Sequence, residues 1–167
     1  MLKPEEKGRD MIRVLAFVAG LLIAGAASAD DRYVGYYYPD FTSSEVFDRV
    51  IRPATGANKR VRVDFVTSLT NAQLAADDNP RFVFFAKGGQ AKTLILVALD
   101  DQVFSTLFRA RAVLAQLTSN MRDSAPFVGQ DLQFLVTFFD LLQILEFDRL
   151  VISDGVTWTH QVNFVRR

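Results

Sequence analysis

The feature that most constrains the fold is residues 81–117, which read RFVFFAKGGQAKTLILVALDDQVFSTLFRARAVLAQL. Two apolar runs, Arg81–Lys87 and Thr93–Leu99, flank a short connection that contains Gly88 and Gly89. Two such runs joined by a Gly-containing loop of about five residues predict an antiparallel hairpin. Because the first run is almost wholly apolar, we expect it to be an interior strand of a sheet.

An amphipathic helix is predicted after this hairpin, over Val103–Met121, because its apolar residues recur at alternating four- and three-residue spacing. At 100° per residue, Arg111 falls at the flank of this apolar stripe. We therefore expect a partly buried guanidinium that needs a carboxylate or carbonyl partner, and Asp140 is the expected partner. Arg111 is either an anion-binding residue or one half of a structural ion pair whose stem covers apolar surface.

The N-terminal residues have the pattern of a targeting segment. Residues 14–27 read VLAFVAGLLIAGAA, with Arg13 before this uncharged run and an A-x-A site at residues 27–29. This pattern predicts a secretory signal peptide over residues 1–29, cleaved after Ala29. The run is shorter than the roughly 20 apolar residues of a membrane-spanning helix. The alternative is an uncleaved N-terminal anchor.

Residues 1–10 are unusual for a signal peptide because they contain three acidic residues, and a start at Met11 gives a cleaner signal. We expect residues 30–167 to form a single exported domain in the periplasm of a Gram-negative bacterium. Contact with the membrane is expected only through the signal peptide before its cleavage.

All four tyrosines lie in residues 30–40, DDRYVGYYYPD, which we interpret as an extended segment or an edge strand. Tyr36, Tyr37 and Tyr38 are candidate binding residues, because adjacent aromatic rings can form a platform for a glycan or a partner. The alternative is that these rings cover the sheet while their hydroxyls reach water.

The next two segments carry local signals for a helix and a strand. Thr42 and Glu45 have capping-box spacing, which predicts a helix that ends near Ile51, before Pro53. Lys59–Thr67 alternates apolar and polar residues, which predicts a half-buried strand with Arg62 on its wet face.

The C-terminal third predicts a capped helix and a second hairpin. Thr137 and Asp140 again have cap-like spacing, and apolar residues follow at helical intervals. Phe147–Ser153 and Val156–Phe164 are predicted strands joined by a two-residue Asp-Gly turn. Together these elements predict an α+β fold: a mainly antiparallel sheet of five or six strands with two or three helices packed on one face.

Composition narrows the possible chemistry. The chain has no cysteine and one histidine, which excludes thiol catalysis, disulfides and a multi-histidine metal site within one chain. Its formal net charge is zero, so we expect no nucleic-acid partner. We found no cofactor motif, and we expect no cofactor. Lys87-Gly88-Gly89 resembles the end of a phosphate loop but lacks the required spacing, and Lys87 stays a candidate binding residue.

His160 lies on the apolar face of the last predicted strand. It is a candidate general base, acting with Asp140 or Arg111. The alternative is a core histidine that is satisfied by one buried hydrogen bond. No G-x-S-x-G elbow marks a nucleophile.

Six segments together resemble a family of small exported bacterial proteins that are commonly labelled "molybdopterin-guanine dinucleotide biosynthesis protein A". They are GYYYP, FVTSLT, FFAKG, TLFRARAVLAQLT, TFFDLLQILEF and ISDG followed by HQV. The resemblance implies an exported protein of one domain, and the label implies nucleotide chemistry. The nucleotidyltransferase of that name opens with a glycine-rich LAGG-type loop followed by Arg and Lys. This sequence lacks that loop, so no catalytic residue is carried over.

The sequence therefore leaves three hypotheses, in this order. The first is a periplasmic protein that binds an envelope protein or a small ligand without catalysis. The second is an envelope enzyme that uses His160. The third is the nucleotide chemistry that the family label implies.

Overall fold

A computed structural model describes residues 39–76, 78–100, 102–122 and 136–165 of the 167-residue chain. The predicted signal peptide and the tyrosine-rich segment, including Tyr36, Tyr37 and Tyr38, lie outside these ranges. Among the helices that are described, none is long and apolar enough to cross a membrane.

The described elements form an α+β fold. A five-stranded sheet has the strand order β1-β5-β4-β3-β2, and three helices connect its strands. In chain order the elements are β1 (Ser43–Phe47), α1 (Lys59–Leu74), β2 (Phe82–Lys87), β3 (Thr93–Ala98), α2 (Leu107–Arg122), α3 (Phe138–Ile144), β4 (Arg149–Ser153) and β5 (Thr159–Phe164).

The sheet is mixed, so the prediction of a mainly antiparallel sheet was only partly right. β2–β3 and β4–β5 are antiparallel hairpins, whereas β3–β4 and β1–β5 are parallel pairs. The chain passes through α2 and α3 between β3 and β4, and a helical crossover of this kind permits a parallel pair. The predicted hairpin of residues 81–99 is confirmed, but β2 lies at the end of the described sheet rather than inside it.

The core lies between one face of the sheet and the helices. Alternate residues of β3, β4 and β5 point into it, as the two-residue period of strands requires. The helices close it from the other side with apolar residues at helical spacing. Its fully buried members include Leu94, Leu96, Phe104, Ala110, Leu142, Phe147, Leu150, Ile152 and Val162.

The segment after Thr42 is a strand, so the helix predicted from its capping-box spacing was wrong. Ser43, Glu45 and Phe47 are half-buried on the helix side of the sheet, and the residues between them are exposed. β1 pairs with β5 along its whole length, from Ser43 opposite His160 to Phe47 opposite Phe164. The hydrogen bonds of this pairing join segments that lie 117 residues apart in the sequence, so no local cap pattern can reveal them.

The segment Lys59–Leu74 is a helix, so the predicted strand over Lys59–Thr67 was also wrong. Asn58 caps it by accepting a hydrogen bond from the backbone N–H of Val61. Its buried stripe contains Arg62 and Val66, with Phe65 partly buried beside them. The helical period was hidden because an arginine occupies a core position while valines lie on the exposed side.

Two further predictions about local structure are confirmed or corrected at the C-terminal side. Thr137 and Asp140 form the predicted capping box at the start of α3. The β4–β5 hairpin exists, but residues 154–158 connect its strands, so a two-residue turn was wrong. Asp154 organises this longer loop by accepting hydrogen bonds from three backbone N–H groups and one hydroxyl.

Candidate functional site

A cavity beside two charged side chains lies between β1, α2 and α3, and we call it the β1–α2 cavity. Its volume is about 400 Å³. Its apolar lining is formed by Val46, Phe47, Leu114, Ala115, Phe138 and Phe139. Ligand sites in proteins are typically concave, mostly apolar and about 300–1,000 Å³ in volume. This cavity has the size and lining of a site for a small molecule.

Two charged residues, Glu45 and Arg111, complete the wall of the cavity. Arg111 donates a hydrogen bond from Nη2 to Oε2 of Glu45 over 3.0 Å. The side chain of Arg111 is 61% exposed and that of Glu45 is 30% exposed, so the pair lies where the cavity meets solvent. An ion pair this exposed contributes about 0–1 kcal/mol to stability.

The predicted partner of Arg111 was wrong. Asp140 is buried and instead accepts a hydrogen bond from Nη1 of Arg49 over 2.7 Å. It also accepts from the backbone N–H and the hydroxyl of Thr137, because it closes the capping box of α3. Arg111 is also more exposed than predicted, since α2 turns its flank toward the edge strand β1 and not toward the core.

His160 lies inside the protein, as the apolar face of its strand predicted. Its Nδ1 atom lies 2.8 Å from the hydroxyl of Ser43, and its ring stacks on Trp158. Its Nε2 atom lies 3.4 Å from Oε1 of Glu45 and has no hydrogen-bond partner. The side chain is only 3% exposed. The structure therefore places His160 against a hydroxyl and a carboxylate that the sequence did not connect with it.

The candidate residues do not form one cluster. His160 and Arg111 meet through Glu45, which contacts both. Asp140 belongs to a separate network with Arg49. Lys87 is half-buried at the end of β2, and Gly88 beside it has the positive φ of 91° that favours glycine.

The polar groups that line the cavity differ in whether their hydrogen-bonding atoms already have partners within the protein. The hydroxyl of Thr118 donates to the carbonyl of Leu114 and accepts from the backbone N–H of Phe138. The hydroxyl of Thr137 is bonded to Asp140. Both threonine hydroxyls therefore already form hydrogen bonds within α2 and α3 or between them. Of the polar side chains that line the cavity, the Glu45–Arg111 pair is left to contact a ligand.

Within the described ranges, no three His, Cys, Asp or Glu side chains are grouped so that they could hold a metal ion. The chain was compared with protein-family models, curated proteins and solved structures, and none of the three comparisons gives a match. The site must therefore be interpreted from its own geometry.

Sequence reasoning missed Glu45, Phe47 and Ser43 as site residues because it assigned them to a helix. The signal that was present is the two-residue period of β1, in which Ser43, Glu45 and Phe47 share one face. A capping-box pattern and a short polar strand look alike in sequence at this position, and only the pairing with β5 separates them.

Proposed function

We propose that this chain is an exported periplasmic protein that binds a small, mainly apolar molecule in the β1–α2 cavity without chemically changing it. The observation that carries the proposal is the apolar cavity of about 400 Å³ with one charged pair on its wall. Export is supported by the sequence pattern of residues 1–29.

The position of His160 favours binding over catalysis. A general base must come within hydrogen-bond reach of the proton that it removes from a substrate. His160 is nearly sealed from solvent and lines neither the β1–α2 cavity nor the small cavity near Arg49. A ligand in the β1–α2 cavity would meet Glu45 and Arg111 before it could meet the imidazole.

The test uses a small neutral dye, 1-naphthylamine, whose fused two-ring body fits a cavity of about 400 Å³ and whose fluorescence spectrum changes in an apolar site. The wild-type protein should bind one dye molecule per chain. Ala115→Trp should abolish that binding, because Ala115 lines the cavity and the indole would fill it. Ala112→Trp is the matched control, since Ala112 lies on the same helix, is exposed and does not line the cavity.

The proposal fails if the wild-type protein does not bind the dye, or if Ala115→Trp binds it as well as Ala112→Trp does. Circular dichroism of both variants shows whether the fold is kept. If Ala115→Trp loses helix content as well as dye fluorescence, Ala115→Leu replaces it as the test variant, because leucine fills less of the cavity and should still reduce dye binding.

A second candidate, an envelope hydrolase, is favoured by one observation. Ser43, His160 and Glu45 are arranged in the order hydroxyl, imidazole, carboxylate, with contacts of 2.8 Å and 3.4 Å. Nucleophile, base and orienting acid are recognised by such geometry rather than by sequence position. A fluorophosphonate probe that labels the wild-type protein but not Ser43→Ala would establish this candidate over the non-catalytic one.

The nucleotide chemistry implied by the sequence resemblance stays the lowest-ranked proposal. Phosphate loops join a strand to the N-terminus of a helix. The loop with Lys87 and Gly88 instead joins two antiparallel strands. Titration with guanosine and cytidine triphosphates tests it, and saturable binding would raise its rank.

A further inference from the structure

We infer that the ligand of the β1–α2 cavity carries one carboxylate, which binds Arg111, and an apolar body, which fills the cavity. This inference rests on the proposed binding function and adds the chemical class of the ligand. The occupant is thus a medium-chain monocarboxylate or a molecule of the same shape and charge.

The polar end of the ligand needs a hydrogen-bonding partner on the cavity wall. The two threonine hydroxyls of the lining are already bonded within the protein. A buried polar group without a partner costs free energy, so the polar end of a ligand must lie at the Glu45–Arg111 pair. That position is also where the cavity reaches solvent, since Arg111 and Val46 are both largely exposed.

The donors of Arg111 favour a negative charge on the ligand. A guanidinium has five N–H donors in a planar fork, and Arg111 uses Nη2 on Glu45. Nη2 carries a second N–H, which together with an N–H of Nη1 or Nε forms an edge that a carboxylate accepts in two parallel hydrogen bonds. An ammonium group would need acceptors instead, and both oxygens of Glu45 already lie near a positive or polar nitrogen of the protein.

A ligand carboxylate at Arg111 would lie close to the carboxylate of Glu45. Two carboxylates on one guanidinium repel each other. His160 offers a way to relieve this repulsion, because its buried Nε2 lies 3.4 Å from Oε1 of Glu45 and has no hydrogen-bond partner. If the hydroxyl of Ser43 donates a hydrogen bond to Nδ1, the neutral ring carries its proton on Nε2. This N–H group can then donate a hydrogen bond to Glu45.

The unpartnered Nε2 of His160 is the independent observation that supports the site. In the tautomer with its proton on Nε2, a small movement of Glu45 toward His160 would satisfy this buried donor and free the guanidinium of Arg111 at the same time. Binding of an anion and completion of a buried hydrogen bond are thereby coupled through one side chain.

The volume of the cavity limits the size of the ligand. A water-sized group takes up about 30 Å³, so the cavity of about 400 Å³ holds about a dozen non-hydrogen atoms. Decanoate has that number of atoms and no branch. Decanol and decylamine have the same chain with a neutral or a positive end, and therefore isolate the contribution of the head group.

The experiment measures displacement of 1-naphthylamine from the purified protein by decanoate, decanol and decylamine at constant ionic strength. Decanoate should bind about tenfold more tightly than decanol, which corresponds to one charge-assisted hydrogen-bond pair at a half-exposed site. Decylamine should be the weakest of the three. Equal affinity for all three ligands overturns the inference and leaves the proposed function intact.

Two variants and a control assign the effect to residues. Arg111→Gln should weaken decanoate binding about tenfold and leave decanol binding unchanged. Arg109→Gln is the matched control, because Arg109 lies on the same helix but bonds to Gln102 and does not line the cavity. Glu45→Gln should strengthen decanoate binding, because it removes the charge that competes for Arg111.

Each outcome separates the two proposals. If the wild-type protein binds neither the dye nor any of the three ligands, the proposed function fails and the inference fails with it. If decylamine binds most tightly and Glu45→Gln abolishes that preference, the site recognises a cation and the inference alone is wrong. Dye binding in every variant shows that the cavity is still formed.

Discussion

Arg62 should contribute more to stability than any other charged residue of α1. It is only 2% exposed, and it donates hydrogen bonds from Nε to the carbonyl of Gln90 and from Nη1 to the carbonyl of Leu145. These contacts tie α1 to the β2–β3 loop and to the end of α3. Glu146 lies 3.8 Å from the same Nη1 atom and balances the charge.

The expected magnitude follows from these contacts. Hydrogen bonds to a charged group contribute about 1.5–3 kcal/mol each, so two of them at the lower limit give about 3 kcal/mol. The contact with Glu146 is long and adds less than about 1 kcal/mol. Arg62→Met keeps most of the apolar stem and removes the donors, so it should lower the free energy of unfolding by about 3 kcal/mol.

The assay is equilibrium unfolding in urea, followed by the fluorescence of Trp158, the only tryptophan. Arg60→Met is the matched control, because Arg60 lies two residues away on the same helix and its side chain is 90% exposed. It should change stability by less than about 0.5 kcal/mol. Arg62→Lys should give an intermediate loss, since one ammonium cannot reproduce both contacts of the guanidinium.

One result would refute the reasoning about Arg62. If Arg62→Met is as stable as the wild type with an unchanged urea dependence, the cost of burying the guanidinium cancels its hydrogen bonds. Buried ion pairs in proteins are known to behave in that way when apolar residues replace them.

Two further predictions concern the hairpin β4–β5. Burial acts to raise the pKa of Asp154, but N–H donation by Trp158, Val156 and Thr157 outweighs burial and lowers it. Asp154→Ala should therefore cost about 1–2 kcal/mol, a difference that persists at neutral pH and shrinks below about pH 4 as the carboxylate is protonated. Ile152→Ala should cost about 2–5 kcal/mol in urea unfolding, because Ile152 is fully buried, whereas exposed Val156→Ala should be nearly neutral.

The sequence predicted two residues of the candidate site, Arg111 and His160, and missed the residue that joins them. Arg111 was identified because its angular position on a regular helix can be calculated, and His160 because strand alternation put it on an apolar face. Glu45, which joins them, was assigned to a helix. Its role depends on the parallel pairing of β1 with β5, between segments that are 117 residues apart.

Local sequence pattern was sufficient to predict a helix or strand where its periodicity or its cap is clear within a short segment. The hairpin β2–β3, the helix α2, the capping box of α3 and the strands β4 and β5 all follow from periodicity or caps within a dozen residues. Such signals arise from the backbone itself, through alternating side chains in strands and unsatisfied N–H groups at helix starts.

The tertiary structure decided the features that depend on distant partners. It made β1 a strand, because β5 offered hydrogen bonds to Ser43–Phe47 that a helix would not use. It also made Lys59–Leu74 a helix, because carbonyls of the β2–β3 loop and of Leu145, just after α3, could satisfy a buried Arg62. The sequence determined which segments are apolar and regular, and long-range pairing determined which polar side chains meet.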